Sequence, residues 1–229
     1  MYRNGLLAGV MVLSAILGGC ATRMKMPFEN DSDPWSEKSK PVFLMTFNIK
    51  NSYRTSFQPT LLVANIEKQG AKASEDRLNF TMDEKAREET DDATKGNSYL
   101  LRFELEPGSY EIRGFTSMAR GFPVIGSFFT PLHAPLEAKA PGIYYLGQVN
   151  ATVRERKDNE FKAGPSVPLI DQAVVGASGG TFDVEVVDAY TKDENRFRTK
   201  FPALKSVPIT KAVLPAFDRA KAQAWWEAN

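Results

Sequence analysis

Few side chains in this sequence have the type and spacing that catalysis requires. The single histidine, His133, lies in the stretch FFTPLHAPLE. A serine–histidine–aspartate triad would also need a Gly-x-Ser-x-Gly turn, which the stretch GASGG at residues 176–180 only approximates. A zinc site would need further histidines at helical spacing. The sequence therefore favours a structural role for His133.

Pairs of carboxylates are the other groups that could support hydrolysis, as they do in glycoside hydrolases. Asp183 and Glu185 share one face of a predicted strand, with Asp171 before it and Asp188 at its end. Acidic residues on the open face of a strand are ordinarily solvated. We therefore predict no catalytic residues, no metal and no cofactor, and a hydrolase that uses these carboxylates stays as an alternative.

The single cysteine, Cys20, follows a segment typical of a targeting signal. Arg3 precedes an uncharged apolar run at residues 6–17, and two glycines close the run. The run is shorter than the roughly 20 residues that a membrane-spanning helix needs. The segment is therefore predicted to direct export and then to be removed.

Residues 17–20, Leu-Gly-Gly-Cys, resemble the lipobox of bacterial lipoproteins. The resemblance implies that the sulfur of Cys20 receives a diacylglycerol and that the chain is cleaved before Cys20. It predicts a signal peptide at residues 1–19 and a membrane partner reached through the lipid. Because Ala21 rather than an aspartate follows, the resemblance also implies the outer membrane, facing the periplasm. The inner membrane, the cell surface, and an ordinary signal peptide with a chance cysteine are the alternatives.

Composition limits the other classes of partner. The 29 basic residues include Arg3, so removal of the signal leaves as many basic as acidic residues, 28 of each. A neutral chain does not favour binding to nucleic acid. The chain is 42% hydrophobic and 11% aromatic, which is enough for a packed core. Without a second cysteine, that core has to hold without a disulfide.

The pattern of apolar residues predicts an all-β protein. Apolar and polar residues alternate at residues 41–50, 77–83 and 181–190, and residues 60–67 form an apolar run. In the first of these, the side chains predicted to point inward are Phe43, Met45, Phe47 and Ile49. Seven to nine such strands indicate an antiparallel β-sandwich of the immunoglobulin or transthyretin kind.

Two Pro-Gly turns are the strongest local signals. Residues 98–115 and 134–156 each read as a strand, a Pro-Gly turn and a returning strand, and thus as hairpins. In the second, the residues predicted to face inward are Ile143, Tyr145, Gly147, Val149, Ala151 and Val153. The stretches ELEPGSYEIRG and LEAKAPGIYYLGQVNATV resemble transthyretin-like or carboxypeptidase-regulatory-like sandwich lipoproteins of bacterial envelopes. That resemblance spans residues 98–156, implies a fold, and brings no catalytic residues with it.

The remaining segments complete the predicted organisation. Residues 20–40 are polar and contain prolines, which predicts a lipidated tether, with a calcium loop as the less favoured alternative. The sandwich is predicted at residues 41–210. Residues 211–229 are predicted to form a helix that begins at Pro215 and docks on the sandwich. Its inward face is predicted to hold Phe217, Ala220, Ala224 and Trp225.

Two predicted loops are the candidate partner-binding sites. The stretch at residues 119–132 is apolar and rich in phenylalanine, and the stretch at residues 163–180 combines apolar residues with four glycines. If exposed, they would mark a contact with an envelope protein. The alternatives are core packing for the first and a crossover whose polar side chains bond neighbouring backbone for the second. The candidate residues are Phe122, Phe128, Phe129, Asp171 and Gln172.

These observations predict a binding or adaptor module rather than an enzyme. The lipobox, the strand pattern and the scarcity of catalytic groups all favour it. A third interpretation is a carrier with an internal cavity for a small apolar ligand.

Overall fold

Alternating apolar residues build two facing sheets in the computed structural model, which describes residues 21–33, 35–36, 39–88, 95–165 and 170–229. The described strands are β1 (Thr22–Met24), β2 (Val42–Asn51), β3 (Thr60–Lys68), β4 (Arg77–Thr81), β5 (Asn97–Glu104), β6 (Gly108–Gly121), β7 (Val124–Ala138), β8 (Ile143–Glu155), β9 (Gly180–Val187) and β10 (Ile209–Lys211). The α-helices are α1 (Ile170–Val174), α2 (Tyr190–Lys200) and α3 (Arg219–Ala228).

The strand order confirms an all-β sandwich. The first sheet has the order β1-β4-β3-β6-β7, and the second has the order β10-β8-β2-β5, with β9 also paired to β8. Both sheets are mixed, because β1 with β4, β2 with β8 and β10 with β8 are parallel pairs. A short turn in the sequence predicts that the two strands it joins are antiparallel neighbours. The parallel pairs join strands that are distant in the sequence, so no local pattern predicts them.

The core lies between the two sheets. The predicted inward residues of β2 are all buried. The ring of Phe47 in the second sheet stacks on Phe115 of the first, with centroids 4.1 Å apart. Phe80 and Phe103 meet across the same interface at 5.1 Å. Aromatic contacts of this kind add to the free energy gained by burying the rings.

The two Pro-Gly turns do not form hairpins. Each carries the chain from one sheet to the other, since β5 and β8 belong to the second sheet and β6 and β7 to the first. At both turns the tyrosine that follows bonds back across the corner: the hydroxyl of Tyr110 donates to the Glu106 carbonyl at 2.9 Å, and that of Tyr144 to the Ala140 carbonyl at 3.0 Å. This is the arrangement of a tyrosine corner. A Pro-Gly turn followed by tyrosine therefore marks a change of sheet here.

Strand β8 changes the face on which its apolar residues lie. Val149, Ala151 and Val153 are in the core between the sheets, as predicted, but Ile143 and Tyr145 lie in a second apolar cluster on the outer side of the second sheet. The register with β2 shifts between Leu44 and Thr46, opposite Gly147, which has a φ of +103°. A bulge at a left-handed glycine reverses the alternation, so a simple period of two fails at this point.

The second cluster lies under α2 and the turn that follows it. Phe197, Phe201 and Leu204 pack on Val42 and Leu100. The cluster also covers a buried guanidinium: Arg102 donates to Asp83 and to the Pro27 carbonyl, and it lies 4.2 Å from the ring centroid of Phe201. A buried charge needs such a complete set of partners.

The segment predicted as a tether packs on the sandwich. Residues of β1 pair with Leu78, Asn79 and Phe80 of β4, and Met26 and Phe28 are buried. Burying these two apolar side chains stabilises the segment on the sandwich. The polar residues around them led to the incorrect prediction of a tether. The predicted signal peptide and Cys20 lie outside the described residues.

The C-terminal helix is present, but it begins later than predicted. α3 starts after Asp218, whose carboxylate accepts a hydrogen bond from the Lys221 backbone amide at 2.9 Å. The aspartate cap replaces the predicted proline start. Ala220 and Ala224 are exposed, whereas Ala222 is buried and the two tryptophans are half-buried. The helix docks near β7, where the Trp225 ring lies 5.4 Å from Phe129 and 5.1 Å from His133.

Candidate partner-binding site

The predicted loop at residues 119–132 is a β-hairpin. β6 and β7 remain paired as far as Gly121 and Val124, so only Phe122 and Pro123 form the turn, and their peptide bond is cis. Phe122 is fully exposed, at 104% of its reference area. The other two candidate aromatics lie elsewhere. Phe128 is buried against Phe182, and Phe129 is half-buried under Trp225.

The described parts of the predicted loop at residues 163–180, residues 163–165 and 170–180, cover the edge of the first sheet, and residues 166–169 lie outside the described ranges. The Asp171 carboxylate accepts the backbone amide of Ile125 at 3.1 Å, and the Gln172 side-chain oxygen accepts that of Ser127 at 3.3 Å. The amide of Phe129 donates to the Ala163 carbonyl at 2.8 Å. Both side chains thus satisfy neighbouring backbone, which was the alternative interpretation of this stretch. Covering an edge strand in this way protects it from pairing with another chain.

The two segments predicted as separate sites therefore adjoin. Ile125, at the hairpin, is 50% exposed, and Ile170 and Val174 of α1 are 82% and 38% exposed. We call these three residues, together with Phe122 at the turn of the same hairpin, the apolar tip. Single exposed apolar residues are ordinary, but several on neighbouring elements indicate a contact surface.

A buried asparagine organises the loop beside the tip. The Asn51 amide group donates to the carbonyls of Phe57 and Val175, both at 2.9 Å. Its side-chain oxygen accepts the backbone amides of Tyr53 and Arg54, at 3.2 and 2.8 Å. One side chain therefore fixes residues 52–58 and the end of α1 relative to each other.

An open cleft of about 550 Å³ lies where this loop meets α1, lined by Tyr53, Arg54, Thr55, Ser56, Phe57 and Val174. Two glycines allow the close approach: a β-carbon on Gly121 would lie 2.8 Å from the Phe57 ring, and one on Gly176 would lie 2.8 Å from Arg54. Sequence reasoning missed this loop, because its polar stretch SYRTSFQ gives no sign that it borders an apolar surface.

Charged side chains of both signs border the tip. The Arg54 guanidinium lies over the Tyr53 ring at 4.6 Å, and Arg120 donates to the sulfur of Met118 at 3.1 Å. Neither forms an ion pair with a carboxylate of the described residues, and both are exposed. The Asp171 carboxylate is engaged by the Ile125 amide. The tip is thus an apolar surface with two cations and one carboxylate at its rim.

The groups considered for catalysis have structural partners. Asp183 bonds Arg154 at 2.9 Å, and Asp188 pairs with Lys211 at the same distance. His133 is buried, with Nδ1 2.7 Å from Glu111, and burial lowers the pKa of its imidazole. Within the described ranges no three histidine, cysteine or acidic side chains converge as metal ligands. Among the described helices, none has the length and apolarity to cross a membrane.

Comparison with known proteins finds little that is similar. No family model matches the chain, and no curated protein matches it. A solved structure of a provisionally assigned cell adhesion protein from Bacteroides fragilis is 10% identical, with a TM-score of 0.29. The similarity covers 66% of this chain and 46% of that one, so the chain spans less than half of that protein's length. The resemblance to transthyretin-like lipoproteins thus stays a prediction.

Proposed function

We propose that this protein is a non-enzymatic lipoprotein, anchored through Cys20 at the periplasmic face of the outer membrane, that binds an envelope protein through the apolar tip. The observation that carries the proposal is the contact of α1 with the β6–β7 hairpin through Asp171 and Ile125, which leaves Phe122 and Ile170 exposed on two adjoining elements, next to a cleft that Val174 lines. The sequence pattern at residues 17–20 supports the anchor.

The tip has the properties of a binding surface. Burying one large apolar side chain contributes about 1.5–3 kcal/mol, and aromatic residues commonly dominate binding energy at interfaces. Phe122 stands on a paired hairpin, and the Asn51 bonds hold the neighbouring loop. Little conformational entropy would therefore be lost when a partner binds.

The engagement of the carboxylates favours binding over hydrolysis. Asp171 bonds the hairpin backbone, Asp183 bonds Arg154, and Asp188 pairs with Lys211. Each carboxylate thus has a structural task that general acid or base catalysis would disturb. An internal ligand cavity has less support, since rings such as Phe47 and Phe115 stack directly across the core.

Photocrosslinking in living cells tests the proposal. Photoreactive residues replace Phe122 and Ile170 in turn, and Glu185, exposed on β9, is the matched control position. We expect one discrete product from both tip positions and none from Glu185. Phe122→Asp should abolish the product formed at Ile170, because it places a charge in the contact.

Two outcomes would contradict this function. One is the absence of any product at both tip positions in a protein that is correctly acylated. The other is hydrolysis of a cell-wall substrate by the purified protein, with loss of that activity in Asp171→Asn.

A further inference from the structure

The described chain begins at an edge of the first sheet, beside a cleft on the outer face of that sheet. Thr22 pairs with Leu78 of β4, and Ala21 lines an open cleft on that face. Cys20 immediately precedes Ala21 in the sequence, and consecutive Cα atoms are about 3.8 Å apart. If Cys20 carries acyl chains, as proposed above, the bilayer surface has to lie within a few residues' length of this cleft.

The cleft has the side chains that phosphate recognition uses. Its volume is about 260 Å³, and its polar and aromatic lining includes Asn65, Glu67, Arg77, Asn79, Arg113 and Trp225. Arg113 donates to Glu67 at 3.1 Å and lies 5.1 Å from the Trp225 ring centroid, so its charge is largely balanced. Arg77 is exposed and has no carboxylate partner among the described residues. The cleft therefore holds one cation in excess.

We infer that this cleft receives the phosphate of a phospholipid headgroup beside the lipid anchor. Guanidinium groups match phosphate oxygens with two parallel hydrogen bonds, and the amide of Asn79 adds a neutral donor. Tryptophan is favoured at the level of the headgroups, which suits Trp225. The inference rests on the proposed acylation of Cys20 and adds to it a second contact with the bilayer.

This second contact would orient the whole sandwich. Thr22 is level with Leu78, Ile66 and Ile112 across the first sheet. The hairpin turn follows Gly121, nine positions further along β6, or about 30 Å at 3.3 Å per residue. A lipid alone permits rotation about the anchor, whereas the cleft contact would fix this face to the bilayer and hold the apolar tip away from it.

Site-specific fluorescence on the full acylated protein tests the inference. Acylation uses the only native thiol, so a cysteine introduced at Glu75, outside the cleft, can be labelled selectively, and Phe122→Cys is the control at the tip. The protein is placed in vesicles of phosphatidylethanolamine and phosphatidylglycerol that contain a lipid with a nitroxide headgroup. Because the tip is about 30 Å away, we expect roughly threefold or greater quenching at residue 75 relative to residue 122.

Charge variants then test the phosphate contact. In protein labelled at Glu75, outside the cleft, Arg77→Glu should lower quenching roughly twofold, because it replaces an attraction to anionic headgroups with a repulsion. Arg120→Glu, a matched reversal at the tip, should leave quenching unchanged. Vesicles of galactolipid, which lacks phosphate, should give the same low value for the parent protein as Arg77→Glu gives on phospholipid.

The outcomes separate this inference from the proposed function. Acylated protein with equal quenching at residues 75 and 122, or with no response to Arg77→Glu, would overturn the headgroup contact and leave the anchor intact. A mass spectrum that shows an unmodified Cys20 in cell membranes would overturn the anchor and the headgroup contact together.

Discussion

The two ends of the first sheet hold their surface side chains in place by different interactions. At the apolar tip, exposed apolar side chains are held by buried polar groups, with Asn51 bonding two loops at once. At the cleft near Ala21, polar side chains are supported by apolar rings, since Arg113 lies against Trp225, which packs on Phe129. One sandwich thus presents an apolar surface at one end and a charged surface at the other, and loops and α3 rather than the sheets create the difference.

The largest effect is expected when the lipid anchor is removed. A chain that begins at Ala21 behind an ordinary cleavable signal loses the acyl chains, each methylene of which contributes about 0.8 kcal/mol to membrane binding. We expect it to move almost entirely from the membrane fraction to the soluble periplasm, as measured by fractionation. Phe122→Asp with the anchor retained should stay in the membrane. Equal membrane retention of both chains would argue against the lipid anchor.

Asn51→Ala should damage the tip while leaving the other end intact. The substitution leaves the buried Phe57 and Val175 carbonyls without their donor, and we expect unfolding to require about 3 kcal/mol less free energy. Asn79→Ala, at the cleft, removes an amide that no described residue bonds, so its effect should stay within about 0.5 kcal/mol. Chemical denaturation of both variants measures the difference. Similar losses would show that the tip does not depend on this asparagine.

A smaller effect is expected where α1 covers β7. The double variant Asp171→Ala with Gln172→Ala removes the acceptors of the Ile125 and Ser127 amides. Hydrogen exchange at these amides should accelerate roughly tenfold. The Phe129 amide is the internal control, because it bonds the Ala163 carbonyl of the backbone. Unchanged exchange at residues 125 and 127 would mean that the edge is protected in another way.

The smallest effect concerns pH and the docking of α3 near the cleft. Burial lowers the pKa of His133 below its ordinary 6.5, so the folded state binds its proton less readily than the unfolded state. Burial alone would raise the pKa of the neighbouring Glu111, but hydrogen bonds from Lys221 and His133 lower it overall. The stabilisation linked to His133 is therefore complete above pH 6.5 and decreases as the pH falls below it.

Thermal denaturation between pH 7.5 and pH 5 measures that loss. Since His133 is the only histidine, replacing it isolates its contribution. His133→Asn keeps a residue that tolerates the left-handed backbone at this position, where φ is +51°. We expect the variant's melting temperature to fall less over this range than that of the parent. Parallel curves would show that His133 does not cause the loss.

The sequence predicts the strands well because each strand's apolar pattern is local. Phe43, Met45, Phe47 and Ile49 of β2 show a period of two and are all buried. The pattern fails where a distant element decides the outcome. Tyr145 faces outward because the bulge at Gly147 reverses the alternation, and α2, which begins at Tyr190, buries it there. A Pro-Gly turn does not encode which sheet the next strand joins.

The candidate site was predicted in part. Phe122 is exposed, and Asp171 and Gln172 bond neighbouring backbone, as one interpretation of their loop held. Phe128 was indistinguishable from Phe122 in the sequence, because nothing local marks which of them lies at a two-residue turn. The two predicted loops adjoin because α1 packs on β7, and no spacing of residues in the sequence predicts that contact.

The parallel pairing of β2 with β8 has a consequence for folding kinetics. Asn48 and Asn150, which bond each other, are 102 positions apart, and β8 then pairs with β10, which begins at Ile209. Contacts of such high sequence separation form slowly, because the chain loses loop entropy before any pairing compensates for it. The second sheet therefore cannot form completely until nearly the whole polypeptide, including β10, is available for pairing. This requirement would keep an exported chain unfolded throughout its passage across a membrane.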